Sequence, residues 1–327
     1  MKTNEQNKII AYKGFNKDLK CRGFKYEVGK TYKHDGEVKC CKSGFHACEN
    51  PLDVLKFYND LDSRYCKVEQ SGVFSKSEDK TASSEIKIVS EIGFVGLFQY
   101  AIELIQKNTD PKGVIKDTDE SIGYNSKIGS SGYNAQIGSS GDYAQIGSSG
   151  YNSKIGSSGY NAQIGSSGDY AQIGSSGDYA QIGSSGYNAQ IGSSGDYAQI
   201  GSSGDYAQIG SSGDYAQIGS SGDYAQIGSS GDYAQIGSSG DYAQIGSSGD
   251  YAQIGSSGYN SVICCSGNNS IAKAKKGSWI TLSEWRYSDE TKCNIPVCVK
   301  TEYVDGERIK ADTWYKLVDG EFKEVTK

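Results

Sequence analysis

A single large aliphatic residue recurs at every ninth position through the middle of the chain, among residues that are mostly small or polar. Isoleucine occupies sixteen such positions without interruption, from Ile128 to Ile263. The commonest nine-residue unit reads Gly-Ser-Ser-Gly-Asp-Tyr-Ala-Gln-Ile. A short repeat of fixed period is typical of a solenoid, because each unit can bury its apolar residues only against its neighbours.

Within each unit, the alternation of the last five residues predicts a short β-strand. Alanine and isoleucine then point inward, and tyrosine and glutamine point to the other side. We expect Gly-Ser-Ser-Gly to form the turn, where glycine can adopt a positive φ. Two units per coil are favoured, which gives about eight coils and a rod of roughly 40 Å. A disordered Gly/Ser linker is the competing interpretation, but it leaves the unbroken isoleucine register unexplained.

The residues before the repeat have a mixed composition and predict a small α+β domain. Asn50 can cap a helix that starts at Pro51, which is well suited to the first helical position. From Ile86 onward, apolar and polar residues alternate as in a half-buried strand. Residues 94–106 predict a helix that covers this sheet.

Two Asp-Gly pairs punctuate the residues after the repeat, in YVDGERI and LVDGEFKEV, and each predicts a β-hairpin. Trp279, Trp285 and Trp314 provide large apolar anchors for this segment. We expect a β cap that shields the open end of the solenoid. The predicted fold class is therefore mostly β, with three domains: α+β at 1–122, parallel β-solenoid at 123–274 and β-hairpin cap at 275–327.

The net charge of −6 is distributed unevenly along the chain. Residues 123–263 contain ten Asp and two Lys, a net charge of −8, so the flanks together carry +2. A rod this acidic is a poor ligand for a phosphate backbone, and we expect no direct binding of nucleic acid. It is better suited to repelling or imitating nucleic acid, or to gathering cations.

The aspartates and tyrosines of the repeat form a candidate partner-binding stripe, because tyrosine combines apolar area with a polar tip. Carboxylates stacked about 5 Å apart repel one another by roughly 1 kcal/mol even in water, which solvent, salt or cations would relieve. The unit differs from the calcium-binding repeat motif Gly-Gly-x-Gly-x-Asp-x-apolar-x in the positions of its aspartate and its apolar residue. We therefore expect no metal and no cofactor. The stripe consists of Asp142, Asp169, Asp178, Asp196, Asp205, Asp214, Asp223, Asp232, Asp241, Asp250, Tyr197, Tyr206, Tyr215, Tyr224, Tyr233, Tyr242 and Tyr251.

The N-terminal segment offers two candidate catalytic residues, Arg22 and His46. Together with Tyr26 and Tyr32 they could form a nucleotide pocket of the ADP-ribosyl-transfer type. The segment contains no phosphate-binding loop and no nucleophile or zinc-protease motif. A non-enzymatic protein is therefore the main expectation, and an enzyme in this domain is the alternative.

The cysteines predict no disulfide scaffold, since nine is an odd count and their spacing is irregular. Cys40, Cys41, His46 and Cys48 lie within nine residues, but their spacing does not match common zinc sites. We interpret this stretch as a structural turn with reduced thiols, as expected in a cytoplasmic protein. The first residues contain no apolar stretch typical of a signal peptide, and the apolar run from Phe94 to Ile105 is too short to span a membrane.

An uncharacterised family of phage and bacterial proteins resembles this chain over its full length, in the motifs YKGFNKDLKCRGFKYEVGKTY, SGFHACENPLDVLKFY and VDGERIKADTWYKLVDGEF. The resemblance implies an N-terminal domain of unknown function, nine-residue repeats of the type SGDYS-x-A and a short β tail. This chain departs from it by placing Ile where relatives often carry Ala, which enlarges the core. The resemblance also implies a phage or prophage setting in a bacterial host, and it brings no catalytic residues.

These observations predict a protein that binds a macromolecular partner, most simply another protein, through the acidic, tyrosine-rich solenoid. One form of this hypothesis is inhibition of a host nucleic-acid-binding or defence protein by charge mimicry. The solenoid could instead hold the end domains at a fixed distance. A structural rod that associates with itself is a further alternative. No membrane partner is expected.

Overall fold

The computed structural model describes residues 8–60, 62–77, 79–109, 118–121 and 123–326. The chain divides into two compact units, residues 1–104 and residues 105–327. β-Sheets form the framework of both units, which confirms the predicted mostly β fold class.

An antiparallel sheet forms the framework of the first unit. Its strands are arranged in the order β1-β6-β7-β4, with β5 also paired to β7, while β2 and β3 form a separate ribbon. The predicted strand around Ile86 is confirmed as the centre of β7, where Ile86 and Ile88 are fully buried. The bounds are β1 (Ile9–Phe15), β2 (Lys20–Cys21), β3 (Phe24–Lys25), β4 (Thr31–Lys33), β5 (Phe45–Ala47), β6 (Arg64–Lys76) and β7 (Thr81–Glu91).

A 3₁₀ helix at Pro51–Lys56 and the helix α1 at Gly93–Thr109 accompany this sheet. Asn50 caps the first helix, because its side chain accepts a hydrogen bond from the Leu52 N–H at 3.1 Å. The cap and the proline start are confirmed, but only six residues are helical, and they form a 3₁₀ helix. Helix α1 buries Leu97 and Phe98 in a cluster that also contains Tyr65.

Two parallel sheets build the solenoid, and the chain crosses from one to the other after every strand. We name them the even sheet and the odd sheet. The even sheet contains β8 (Thr118–Ser121), β10 (Gln136–Ser139), β12 (Lys154–Ser157), β14 (Gln172–Ser175), β16 (Gln190–Ser193), β18 (Gln208–Ser211), β20 (Gln226–Ser229), β22 (Gln244–Ser247) and β24 (Val262–Cys265). The odd sheet contains β9 (Lys127–Ser130), β11 (Gln145–Ser148), β13 (Gln163–Ser166), β15 (Gln181–Ser184), β17 (Gln199–Ser202), β19 (Gln217–Ser220), β21 (Gln235–Ser238), β23 (Gln253–Ser256) and β25 (Ile271–Lys273).

The register along each sheet is eighteen residues, so that Ile209 pairs with Ile191 and Ile227. This confirms two nine-residue units per coil. The solenoid has about nine turns over residues 127–282, one more than the nine-residue units alone predict. The extra turn arises because residues 271–273 and 279–282 continue the parallel stacking after the last perfect unit.

The interior of the solenoid is lined by the predicted alanine and isoleucine, joined by a serine. Ala216 and Ile218 are fully buried, and Ser220 lies beside them in the core. The predicted phase of the strand is wrong, because the strand is Gln-Ile-Gly-Ser and the tyrosine precedes it in a turn. Tyrosine, and not the predicted glycine, adopts the positive φ, for example 57° at Tyr215.

Glycine at the fourth position of the unit is required for space rather than for a positive φ. A Cβ on Gly213 would lie 2.1 Å from the carbonyl oxygen of Gly195, one coil earlier. The same approach recurs in successive coils, at about 2.0 Å for Gly222 and Gly231. Only glycine therefore allows the turns of adjacent coils to stack this closely.

Two antiparallel hairpins end the solenoid, which is the predicted cap. They comprise β26 (Trp279–Ser288), β27 (Cys293–Tyr303), β28 (Tyr315–Val318) and β29 (Glu321–Glu324). Strand β26 pairs with β24 in parallel through its first four residues and with β27 in antiparallel fashion along its length, whereas β28 pairs with β25. Each sheet of the solenoid thus passes into an antiparallel hairpin at its C-terminal end.

One of the two Asp-Gly hairpin predictions is confirmed. Asp319 and Gly320 have φ values of 52° and 70° and connect β28 to β29. The prediction for YVDGERI is wrong, because Asp305 accepts hydrogen bonds from the Glu307 and Ile309 N–H groups and closes a compact loop instead. Of the predicted tryptophan anchors, Trp314 is 5% exposed, whereas Trp279 is 47% exposed.

Candidate functional site

The stripe aspartates lie in the turns of the solenoid, where the chain passes between the two sheets. We call the turn from the even to the odd sheet the first corner and the return turn the second corner. The first corner carries Asp142, Asp178, Asp196, Asp214, Asp232 and Asp250, and the second carries Asp169, Asp205, Asp223 and Asp241. The structure therefore divides the predicted single stripe into two parallel columns.

Every one of these ten aspartates makes the same hydrogen bond. The carboxylate of Asp214 accepts a bond from the Asp232 N–H in the next coil at 2.8 Å, and Asp196 accepts one from the Asp214 N–H at 2.9 Å. The ten distances lie between 2.7 and 3.0 Å. Aspartate thus satisfies a backbone donor that the turn would otherwise leave to solvent.

This hydrogen bond offsets the electrostatic repulsion expected between stacked carboxylates. A hydrogen bond to a charged group contributes about 1.5–3 kcal/mol, which exceeds the roughly 1 kcal/mol of repulsion expected per neighbouring pair in water. The bond uses Oδ1 of each aspartate, and these turns are exposed. The columns are consequently ordered and still present negative charge to solvent.

Tyrosine rings form a stacked ladder beside each aspartate column. At the first corner the rings of Tyr197, Tyr215 and Tyr233 lie 4.9 Å apart and within 4° of parallel. At the second corner Tyr206 and Tyr224 lie 4.9 Å apart. The stripe tyrosines are 42–45% exposed, so each ladder offers a continuous aromatic surface.

The ladders also explain how tyrosine tolerates its left-handed backbone conformation. Such a conformation costs a residue other than glycine about 1 kcal/mol or more, and ring pairs contribute about 0.5–1.5 kcal/mol. Partial burial in the ladder, with neighbouring phenols and carboxylates, raises the pKa of Tyr224 and Tyr233 above the ordinary value for tyrosine. In the units that read Gly-Tyr-Asn, such as 186–188, asparagine takes the left-handed position and tyrosine replaces the aspartate.

An open trough of about 1330 Å³ runs along the outer face of the even sheet. Its floor is a column of strand glycines, such as Gly192, Gly210 and Gly228, beside a row of residues that are mostly glutamine. A Cβ on these glycines would meet no atom within 4 Å. The corner glycines and the strand glycines of the even sheet therefore have opposite surroundings, since the corner glycines are crowded and the strand glycines of this sheet are open.

The candidate catalytic residues Arg22 and His46, in the compact unit at residues 1–104, both line one cavity of about 800 Å³. Tyr26 lines it as well, and Tyr32 packs against Tyr26 with ring centroids 5.1 Å apart. Nε2 of His46 accepts a hydrogen bond from the Cys41 N–H at 2.9 Å. Burial and the charges of Lys13 and Arg22 lower the pKa of His46, which favours the neutral imidazole.

Sequence reasoning missed Lys13, which lies in the wall of the same cavity. It is 6% exposed, and its Nζ donates a hydrogen bond to the His46 carbonyl oxygen at 2.8 Å. Nζ also lies 3.6 Å from Sγ of Cys21 and over the rings of Phe15 and Tyr26. Burial lowers the pKa of Lys13. A lysine in the strand IIAYKGF carries no sequence signal that distinguishes it from a solvent-facing residue.

All nine cysteines are free thiols in the structure. The predicted cluster around His46 is a turn in which Sγ of Cys40 and Sγ of Cys41 lie 4.0 Å apart, while Cys48 is buried. Among the described residues, no group of three or more His, Cys, Asp or Glu side chains is placed to hold a metal ion. Burial raises the pKa of Cys48 and of Cys66 to about 12.

One family model matches part of the chain. Residues 9–100 match the family model described as a domain of unknown function (DUF7666). No curated protein and no solved structure matches the chain significantly. Within the described part of the chain, no helix has the length and apolar character needed to cross a membrane. The chain therefore carries an N-terminal DUF7666 domain, residues 9–100, followed by a parallel β-solenoid.

Proposed function

We propose that this protein is a binding protein whose solenoid corners engage a basic surface on a protein that binds nucleic acid. The observation that carries the proposal is the pair of ordered aspartate columns. Both corners carry aspartate in every coil from Asp205 to Asp250, six carboxylates in all, and no lysine or arginine interrupts them. The proposal requires no catalytic step.

The linear charge density of these columns supports charge mimicry. Coils advance by about 4.8 Å, and each contributes two carboxylates, which gives one negative charge per roughly 2.4 Å. Duplex DNA carries one per about 1.7 Å of helix axis. The solenoid thus approaches the charge density that a DNA-binding groove is built to accept.

The order of the columns supports the same proposal. Each carboxylate is held by a backbone N–H group of the next coil, as between Asp223 and Asp241 at 2.8 Å. A partner therefore meets charges at fixed spacing and does not have to order flexible side chains on binding. The tyrosine ladders add exposed aromatic area beside the charges, and aromatic residues are enriched at protein interfaces.

The resemblance to phage and bacterial proteins supplies a setting for this proposal. In a bacterial cytoplasm, an acidic rod of this kind would block a host nucleic-acid-binding or defence protein by occupying its binding groove. A change in the number of repeats would then change the length of the rod. It would also change how many repeats are available to a partner.

Capture of proteins from bacterial lysate by the immobilised full chain tests the proposal, with elution by duplex DNA. The stripe variant changes Asp214, Asp223 and Asp232 to Asn. Asparagine keeps the oxygen that accepts the inter-coil hydrogen bond, so the variant removes three charges and preserves the coil. A matched control removes three charges from the cap, with Asp289→Asn, Glu290→Gln and Glu307→Gln.

We expect the captured proteins to elute with duplex DNA and to bind the stripe variant about tenfold less, because each lost charge pair weakens electrostatic association. The control should retain capture within about twofold. Capture should also fall steeply between about 50 and 200 mM salt. Equal capture by the stripe variant and the control, or capture that duplex DNA does not displace, would refute mimicry. Partners retained by a chain that lacks the repeats would instead favour the solenoid as a spacer.

A further inference from the structure

The cavity of the DUF7666 domain has a one-sided electrostatic lining. Five cationic side chains line it, from Lys13, Arg22, Lys42, Lys56 and Lys80, together with two histidines. Among the described residues that line it, none is an aspartate or a glutamate. A cavity of about 800 Å³ is within the usual range for a small-molecule site.

In the described part of the domain, two of these cations have a carboxylate within 4 Å, and three do not. Nζ of Lys56 lies 2.9 Å from Asp53, and Nζ of Lys80 lies 4.0 Å from Asp79. Within the described ranges, Lys13, Arg22 and Lys42 have no carboxylate within 4 Å. Over the residues that the structure describes, the lining of the cavity therefore carries an excess of positive charge.

Lys13 is the most informative of the three, because it is almost fully buried. Its protein neighbours are a backbone carbonyl, a thiol and two aromatic rings. A buried charge without an ionic partner is expensive, and such groups concentrate at functional sites. An anion placed beside Lys13 would supply the missing partner.

Aromatic side chains also line the cavity. Phe24 and Tyr26 meet edge to face with centroids 4.8 Å apart, and Tyr58 and Phe57 line the cavity as well. Aromatic walls of this kind favour a planar apolar group. Arg22 has a left-handed backbone, with a φ of 50°; such conformations cluster at ligand-binding sites.

We propose that this cavity binds a small aromatic anion, with its carboxylate or phosphate between Lys13 and Arg22 and its ring against Tyr26 and Tyr58. The site is independent of the solenoid, and its test is independent of the mimicry test. Neither the family description nor the solenoid assigns a ligand to this domain.

Titration calorimetry on the full chain tests the proposal with four probes. Adenosine 5′-monophosphate and benzoate supply a phosphate and a carboxylate on an aromatic group, and adenosine and benzamide are their uncharged counterparts. The variant Lys13→Met removes the buried charge and keeps a similar side-chain length. Lys87→Met is the matched control, since Lys87 is exposed on β7 and does not line the cavity.

We expect at least one of the two anions to bind the full chain with a dissociation constant below about 1 mM, and its uncharged counterpart to bind about tenfold more weakly. Lys13→Met should weaken the anion by about tenfold or more, and Lys87→Met by less than about twofold. Which anion binds identifies the headgroup as phosphate or carboxylate. Arg22→Gln, at an exposed position, provides a second variant with the same expected direction.

The fold of Lys13→Met can be checked independently. Because it removes a buried charge, this variant should unfold at a higher temperature than the parent chain in the absence of ligand. The proposal is overturned if neither anion binds, if Lys13→Met binds as tightly as the parent, or if adenosine and benzamide bind as tightly as the anions.

Discussion

Two glycines of one repeat unit, Gly210 and Gly213, test the stacking of the coils by the same substitution. Neither has a positive φ, so alanine is tested for space and not for backbone strain. A Cβ on Gly210 faces the open trough and meets no atom within 4 Å, whereas a Cβ on Gly213 lies 2.1 Å from the Gly195 carbonyl oxygen. We therefore expect opposite effects from Gly210→Ala and Gly213→Ala.

The magnitude for Gly213→Ala follows from the contact distance. A carbon–oxygen contact normally needs about 3.3 Å, so the coils at this corner must separate by about 1 Å. That movement breaks the bonds from the Asp214 N–H to Asp196 and from the Ser212 N–H to Ser193, now 2.9 and 3.0 Å long. At about 1 kcal/mol for each ordinary bond and more for the carboxylate, the loss is about 2–4 kcal/mol. Gly210→Ala should be neutral or stabilising by up to about 1 kcal/mol.

Chemical unfolding of the full chain, followed by circular dichroism, measures both changes. Because coils contact only their neighbours, amide hydrogen exchange should show the damage from Gly213→Ala within one or two coils of Asp214. The explanation fails if both alanine variants unfold alike, or if Gly210→Ala is the more damaging of the two.

Three further predictions concern single groups. Asp214→Asn should leave the thermal midpoint unchanged, whereas Asp214→Ala should lower stability by about 1 kcal/mol by removing the acceptor; equal melting of the two variants would contradict this. Arg308 and Lys300 hold the pKa of Glu302 at about 2, so its contribution should be complete above about pH 4.3, its unfolded value, and lost as the pH falls toward 2. Tryptophan fluorescence during acid titration should show this loss in the parent chain and not in Glu302→Gln. A thiol reagent at pH 8 should modify the exposed Cys41, Cys264 and Cys293 first, as followed by mass spectrometry. The buried Cys48, Cys66 and Cys265 should react only on unfolding, and their early labelling would argue against the packing.

The inward residues of the solenoid could be predicted because burial leaves a periodic signal. Isoleucine at a fixed ninth position and alanine two residues before it are the residues that the coil buries. The coil count followed from the same period once two units per turn were assumed. The extra turn could not be predicted from it, since Trp279–Leu282 stacks on Val262–Cys265 without the repeat motif.

The phase of the turn could not be read from the alternation of five residues. Tyr215 alternates with Ala216 and Gln217 in sequence as a strand residue would, but the ladder of rings stabilises it in a left-handed turn. The need for Gly213 arises from Gly195 one coil away, and the hydrogen bond of Asp214 comes from Asp232. Such relations between coils exist only after stacking, and a single unit does not contain them.

In the first domain, local signals were more reliable than tertiary ones. The Asn50 cap depends on neighbours in sequence and was predictable. The cavity brings Lys13 from β1 together with His46 from β5 and Arg22 from the loop between β2 and β3. Arg22 and His46 are candidates because of their residue types, whereas the burial of Lys13 depends on how three distant segments pack.

The eighteen-residue coil also constrains how the chain can lengthen. Residues 124–150 and 151–177 are identical in sequence, and twenty-seven residues amount to one and a half coils. The second copy consequently begins on the opposite side of the solenoid: Lys127 lies in β9 of the odd sheet, and its counterpart Lys154 lies in β12 of the even sheet. Duplication of an odd number of units thus exchanges the two faces for everything that follows, and moves the C-terminal hairpins half a turn around the axis. Only changes by whole coils would lengthen the solenoid while keeping its first and last turns in phase.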